Sequence, residues 1–116
     1  MDIELNNSWR RFDDGKSVGQ TGSESGTIIY DIEHIGGARV TLEQKTSGAP
    51  FATTLGVYGL MFHTRFDSNE IDAKKFIVQT IQKIEALLDM CGIPEEKQDM
   101  AWKEKFNNLM QELAEQ

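Results

Sequence analysis

The order in which this sequence places its strand-like and helix-like segments constrains the fold most strongly. Residues 1–67 contain nearly all of the Gly, all four Arg and most of the β-branched alternation, whereas residues 68–116 contain six of the eight Lys and have helical periodicity. A parallel sheet would interleave the two kinds of segment. The order therefore predicts an α+β fold, with an antiparallel hairpin or meander sheet at about 8–67 followed by two C-terminal helices at about 68–91 and 94–115.

The length agrees with one folding unit. A chain of 116 residues can bury one hydrophobic core, whereas two independent cores would each be marginal. We therefore treat residues 1–116 as a single domain, with a β part at 1–67 and a helical part at 68–116.

The first hairpin can be predicted together with its register. Two runs of alternating polarity flank a Gly-Gly pair at 36–37. A two-residue turn at the glycines would place Val40 opposite Glu33 and would mix the two faces of the hairpin. A three-residue loop instead places Val40 opposite Ile32 and Glu33 opposite Arg39, and we predict this register because facing residues share a face.

Residues 51–66 do not fit one straight strand. Sixteen extended residues would span roughly 50 Å, which is too long for a domain of this size. Gly56 and Gly59 must therefore mark an interruption. Because Val57 resists the positive φ of a tight turn, the pattern predicts a bent strand instead of a reversal.

Composition argues against several functional classes. The chain has 12 Lys and Arg against 19 Asp and Glu, a formal net charge of −7, so it lacks the basic surface that nucleic-acid binding requires. No apolar run approaches the roughly 20 residues that span a bilayer, and the amino terminus is acidic where a signal peptide would be basic. We expect a cytoplasmic protein that contacts neither nucleic acid nor membrane.

Metal and cofactor motifs are weak. His34 and His63 are the only histidines, and Cys91, the only cysteine, lies far from both in sequence, so the ligand spacing of a typical zinc site is missing. The Gly15-Lys16-Ser17 run lacks the earlier Gly that a phosphate-binding loop requires. We expect no metal and no cofactor, and we interpret Cys91 as a small buried hydrophobe.

One group of polar residues lies within predicted strands instead of loops. Its members, which form the candidate ligand-binding site, are Glu33, His34, Arg39, His63 and Arg65. Thr64 lies between two of them, and Glu24 is a weaker addition. His63 and Arg65 share a face and could bind a small anion or an acidic side chain. The alternative is that Glu33 pairs with Arg39 across the hairpin and that the other cations pair with the acidic helices.

Several short motifs carry a resemblance to known proteins. They are Gly22-Ser23-Glu24-Ser25-Gly26, Asp31-Ile32-Glu33-His34, Gly37-Ala38-Arg39-Val40-Thr41-Leu42-Glu43, Ala49-Pro50-Phe51, Gly56-Val57-Tyr58-Gly59 and His63-Thr64-Arg65-Phe66. Across roughly residues 22–90 the chain resembles a family of short uncharacterised bacterial proteins. It departs from that family's pattern at Ser25, Ile32 and Leu60, where the family tends to have Gly, an acidic residue and Trp. The resemblance implies a bacterial protein and supplies no fold, activity or catalytic residue.

Two functional interpretations follow. The leading one is a non-enzymatic protein-interaction module that forms a homodimer, because apolar residues occupy both faces of residues 51–66, and that offers its acidic surface to a basic protein partner. An inhibitor or immunity-like role fits this interpretation by analogy. The alternative is a small-ligand or enzymatic site around His63, Arg65, Arg39 and Glu33, which would require a concave pocket where these side chains converge.

Overall fold

The structure is a computed structural model and describes residues 3–115. Its elements are β1 (Trp9–Arg11), β2 (Thr27–His34), β3 (Ala38–Gln44), β4 (Phe51–Val57), β5 (Met61–Asp67), α1 (Glu70–Cys91) and α2 (Met100–Ala114). Single 3₁₀ segments lie at Phe12–Gly15 and Glu95–Lys97. Neighbouring strands pair antiparallel in the order β1-β2-β3-β4-β5. The predicted α+β fold, with a sheet followed by two C-terminal helices, is confirmed.

The β2–β3 hairpin has the predicted register. Ile32 faces Val40 and Glu33 faces Arg39 across a three-residue loop. The last loop residue, Gly37, has a φ of +106°, which a residue with a side chain adopts only under strain. Two conditions therefore determine this turn: facing residues must lie on the same face of the sheet, and a glycine must occupy the position with positive φ.

The predicted bent strand at 51–66 is wrong, because the chain reverses there. β4 and β5 form a second hairpin in which Val57 faces Met61, and the Leu60 N–H donates to the Val57 carbonyl over 2.9 Å. The positive φ of this turn, +79°, falls on Gly59. Val57 thus stays in the strand, and the objection that Val resists positive φ does not apply.

The hydrophobic core lies between one face of the sheet, here called the helix face, and the two helices. Strand residues Val40 and Leu55 are fully buried there, as are Ile77, Ile84 and Phe76 of α1. The apolar side of the first predicted helix therefore packs against the sheet. The interpretation of Cys91 as a buried hydrophobe is wrong, since its side chain is exposed beyond the last buried α1 residue.

The second helix begins later than the sequence pattern predicts. A 3₁₀ turn occupies Glu95–Lys97, and α2 begins at Met100 after the N-cap residue Asp99, whose carboxylate accepts the Trp102 N–H. In the part of the chain that the structure describes, no helix combines the length and apolarity needed to cross a bilayer.

The opposite side of the sheet, here called the open face, carries no helix. Strand alternation places on it Asp31, Glu33, Arg39, Thr41, Glu43, Thr54, Phe62, Thr64 and Phe66. The segment 12–26 folds back beside β2: the Gly19 N–H donates to the Ile28 carbonyl, and the Ile28 N–H donates to the Gln20 carbonyl. The open face is therefore covered near β2 and bare near β5.

Candidate functional site

The sheet separates the five candidate site residues onto its two faces. Glu33 and Arg39 lie on the open face, whereas His34, His63 and Arg65 lie on the helix face by register. His63 and Arg65 do share a face, as their spacing predicts. The five side chains do not meet in one cluster.

The helix-face members contact structural partners. His34 accepts the Gly36 N–H at Nδ1 over 2.8 Å, and its ring packs edge-on to Trp9 with centroids 4.9 Å apart. The Arg65 guanidinium lies 4.8 Å from the centroid of the Phe76 ring and forms an ion pair with Asp67. These contacts join β2 to β1 and β5 to α1, and they support a role for His34 and Arg65 in packing the helix face.

A buried carboxylate organises the centre of the open face. Asp31 accepts Arg39 Nε at Oδ1 over 2.9 Å and Arg39 Nη2 at Oδ2 over 2.7 Å, while the Thr41 hydroxyl donates to Oδ1 over 2.9 Å. Glu33 faces Arg39 in the strand register, but Asp31 is the ion-pair partner. These bonds raise the pKa of Arg39 above its usual value. The charges of Asp31 and Arg39 compensate each other within the pair.

A second polar group lies next to this pair. Glu33 accepts the Tyr58 hydroxyl over 2.9 Å and Arg10 Nη2 over 3.0 Å, which joins β1, β2 and the β4–β5 turn. The hydrogen bond from Tyr58, followed by that from Arg10, lowers the pKa of Glu33. Burial and the carboxylate raise the pKa of Tyr58 above its usual value.

The segment 12–26 is attached to the open face at two points. The Arg39 guanidinium lies 3.5 Å from the centroid of the Phe12 ring, a cation–π contact. The fully buried Glu43 carboxylate accepts the backbone N–H groups of Glu24 and Gly26, each over 3.1 Å at Oε1. Glu24 therefore contributes its backbone here.

Sequence reasoning missed Glu43. The available signal was the spacing of Arg39, Thr41 and Glu43, which places a third polar side chain on the same face of β3 as the other two. The Glu43 carboxylate is buried because the Gly-rich part of segment 12–26 packs against it. Tertiary contacts set the position of that segment, so strand alternation alone does not reveal the burial.

A groove lies between this segment and the β4–β5 turn. Its volume is about 1040 Å³, and its floor includes Arg39, Thr41 and Thr54. Its walls include Phe12, Ser17, Ile28, Tyr58, Leu60 and Phe62. Of the five candidate residues only Arg39 lines it, so the concave site differs from the one that the sequence predicts.

The bare side of the open face ends at β5, the last strand of the sheet. Phe62 is 80% exposed and Phe66 is 46% exposed on this strand. Between them, the Thr64 hydroxyl lies 3.0 Å from the Thr54 hydroxyl. The result is an apolar strip along a sheet edge.

No family model, curated protein or solved structure matches this chain. The resemblance to short bacterial proteins therefore stays a prediction. Within residues 3–115, no group of three or more His, Cys, Asp and Glu side chains could hold a metal ion. The function must be argued from the two open-face surfaces themselves.

Proposed function

We propose that this chain is a non-enzymatic protein-interaction module of the cytoplasm that works as a homodimer, joined through the β5 edges of two copies. The observation that carries the proposal is the exposed β5 edge with its two exposed phenylalanines, Phe62 and Phe66.

The β5 edge has few of the features that protect a sheet edge from strand pairing. Protected edges are short, bulged, or carry Pro or charged side chains, especially Lys. β1 at the opposite edge has three residues, whereas β5 has seven, contains neither Lys nor Pro, and pairs with β4 without a register shift. The charged residues of β5, Arg65 and Asp67, lie on the helix face and form an ion pair with each other. Among the described residues, β5 makes no backbone ladder with any strand but β4. A second strand can therefore add at this edge.

The β5 sequence is complementary to itself about Thr64. In an antiparallel pair centred on Thr64, Phe62 of each copy faces Phe66 of the other on the open face, and Thr64 faces its own counterpart. Centring the pair on His63 or Arg65 would place a phenylalanine opposite Thr64 and leave the other without an aromatic partner. Aromatic cross-strand pairs stabilise sheets, so the twofold register at Thr64 is preferred.

The backbone agrees with that register. A three-residue loop makes Val57 and Met61 a hydrogen-bonded pair, so the alternation of an antiparallel ladder directs the N–H and C=O groups of Phe62, Thr64 and Phe66 away from β4. These are the residues that face one another in the pair centred on Thr64. Backbone and side chains thus favour the same dimer.

A basic protein is the class of further partner that fits such a dimer. The dimer would double the formal charge of −7, and that acidity is spread over both halves of the chain. Charge complementarity would speed association with a basic surface. An inhibitor or immunity-like role belongs to this class and is part of the proposal.

The test is sedimentation equilibrium of the wild type, Thr64→Lys and Ile35→Lys across a wide concentration range. Thr64→Lys places two like charges opposite each other at the twofold centre and should leave 13.1 kDa monomers. Ile35→Lys makes a similar charge change at another exposed apolar position, 66% exposed in the β2–β3 loop, and should dimerise like the wild type.

Circular dichroism and thermal unfolding check that both variants fold. Loss of the Thr54–Thr64 hydrogen bond should cost about 1 kcal/mol of unfolding free energy. A wild type that stays monomeric at the highest concentration would contradict the proposal. A folded Thr64→Lys protein that still dimerises would place the interface elsewhere.

A further inference from the structure

The second helix, α2, borders the β5 edge on the helix face. We infer that α2 is a displaceable cover of this edge, and that the β5 edges of two copies pair only after α2 has left β5 in both. The inference rests on the proposed dimer and concerns its regulation. A chain whose α2 is docked on β5 stays a monomer, and a chain whose α2 has left is the form that associates.

The packing of the two helices places α2 at the border of the sheet. α1 packs on β3, β4 and β5, with β4 at the centre, whereas α2 packs on α1 and on β5. Helices in contact lie about 8 to 10 Å apart, but neighbouring strands lie only about 4.8 Å apart. A helix beside α1 therefore lies over β5 or just beyond it.

Two copies of α2 cannot both stay there in a paired sheet. Pairing brings the two β5 strands to about 4.8 Å from each other, and the twofold axis places the second copy's α2 over the same edge. The axes of two packed helices need about 8 to 10 Å, because side chains give each helix a diameter of about 10 Å. The edges can therefore pair only when the helices have moved away.

α2 is held by fewer buried groups than α1. Leu113 is its single buried residue among those that the structure describes, whereas eight residues of α1 are buried. Side-chain contacts with α1 add to this: the Trp102 indole N–H donates to the Met90 carbonyl over 3.2 Å, and Lys83 Nζ lies 3.9 Å from Glu112 Oε2. Local unfolding is easiest where few apolar side chains are buried. α2 can therefore separate while α1 keeps its place on the sheet.

The connection between the helices can act as the hinge. Residues 92–97 are all exposed, and their backbone hydrogen bonds are local. Asp99 then begins α2 as its N-cap, and its carboxylate accepts the Trp102 N–H over 2.9 Å. The connection can therefore redirect α2 without disturbing the sheet.

The strength of the dimer should depend on the square of the fraction of chains whose α2 has left β5, because both copies must open. As long as α2 is mostly docked, a tenfold larger open fraction lowers the apparent dimer Kd about a hundredfold.

Asp99→Ala tests this relation in sedimentation equilibrium at about 0.5 M NaCl, where charge repulsion is screened. Loss of the N-cap should raise the open fraction about fivefold and lower the dimer Kd about 25-fold. Asp99→Asn removes the same charge but keeps a good cap, so it should dimerise like the wild type. Asn69→Ala removes the N-cap of α1, which accepts the Asp72 N–H, and should also dimerise like the wild type.

A reversible link tests the opposite direction. Lys83→Cys and Glu112→Cys in a Cys91→Ser background provide two thiols where an ion pair joins the helices. A bismaleimide that contains a disulfide connects them in dilute solution, and reduction releases the connection. The linked protein should stay monomeric at concentrations where the wild type dimerises, and reduction should restore the dimer.

Hydrogen exchange reports the position of α2 directly. The amides of α2 should exchange faster in the dimer than in the dilute monomer, whereas those of Phe62, Thr64 and Phe66 should exchange more slowly. Asp99→Ala combined with Thr64→Lys should stay monomeric, because the gain in affinity depends on the β5 edge.

The outcomes separate this inference from the proposed dimer. Monomers in every protein, Asp99→Ala included, would contradict the dimer and the inference with it. Dimers that form equally well in the linked protein, or an unchanged Kd in a folded Asp99→Ala protein, would overturn the inference and leave the dimer standing. Slower exchange of α2 on dimerisation would also overturn it and make α2 part of the interface.

Discussion

At the residue scale, the open face contains two buried carboxylates, each satisfied by groups that are distant in sequence. Asp31 is bonded to Arg39 and Thr41, and Glu43 is bonded to the backbone of the 22–26 turn. A buried carboxylate without such donors would be strongly destabilising. The conformation of the loop and the burial of Glu43 therefore depend on each other.

Gly22 and Glu43 should show this dependence in a double-mutant cycle. A Cβ at Gly22 would lie 2.3 Å from the Glu43 Cδ, so Gly22→Ala should lower the unfolding free energy by about 2 kcal/mol. Glu43→Ala should lower it by about 3 kcal/mol because two loop N–H groups lose their acceptor. Glu43→Ala removes the atom with which the new Cβ would clash. The double variant should therefore lose less unfolding free energy than the sum of the two single losses, by about 1 kcal/mol or more.

Urea unfolding measures all four proteins of the cycle, with Ser23→Ala as a neutral control at an exposed loop residue. Additive losses would mean that the loop does not close on the carboxylate.

The pKa of Glu33 should depend on its hydrogen bond with Tyr58. Tyr58→Phe removes the largest cause of the lowered pKa, so the pKa of Glu33 should rise toward its usual value in carbon-detected NMR titrations. Tyr30→Phe is the matched control, because its hydroxyl makes no hydrogen bond within the described chain. An unchanged Glu33 pKa in Tyr58→Phe would show that Arg10 alone holds the carboxylate.

The same shift has a defined effect on stability. Because the folded pKa of Glu33 is lowered, its contribution is fully present above the usual pKa of 4.5 and is lost as pH falls through the folded value. The difference in unfolding free energy between the wild type and Glu33→Gln should therefore shrink as the pH is lowered from about 5 to about 3. A difference that grows under acid would contradict this sign.

At the element scale, the two hairpins show how much of a turn can be predicted from the local sequence pattern. The β2–β3 register was predictable, because cross-strand partners must share a face and only one loop length satisfies that condition. The β4–β5 turn was not, because Gly56 and Gly59 both offered an interruption. The difference between them is that Gly59 has a φ of +79° whereas Gly56 lies within β4.

Alanine substitutions should separate these two glycines. Gly59→Ala should lower the unfolding free energy by about 1 to 2 kcal/mol because of its positive φ, and Gly59→Asn should lower it less. Gly56→Ala should have little effect, since an added Cβ there makes only ordinary contact. Denaturant unfolding compares the three, and equal losses at both positions would place the strain outside the turn.

At the scale of the whole molecule, the acidic charge would oppose the proposed pairing of two β5 edges. Each copy carries a formal charge of −7, so two copies would repel each other. A contact along one seven-residue strand is small, and we expect a dimer that dissociates on dilution.

Added salt should therefore strengthen the homodimer. Raising NaCl from about 0.05 M to about 0.5 M shortens the screening length and should lower the dimer Kd in sedimentation experiments. A complex with a basic protein should respond in the opposite direction and weaken, so the sign separates the two kinds of association. A homodimer that weakens in salt would indicate charge attraction between the copies in place of edge pairing.

The sequence by itself determined the order of strands and helices and the β2–β3 register. These depend on periodicity and on pairing between neighbouring segments. Only the tertiary structure decided that His63 and Arg65 contact the helix layer while Arg39 lines a groove, and that segment 12–26 closes over Glu43. The reason is that alternation assigns residues to two faces without saying which face the helices cover, and long-range packing makes that choice.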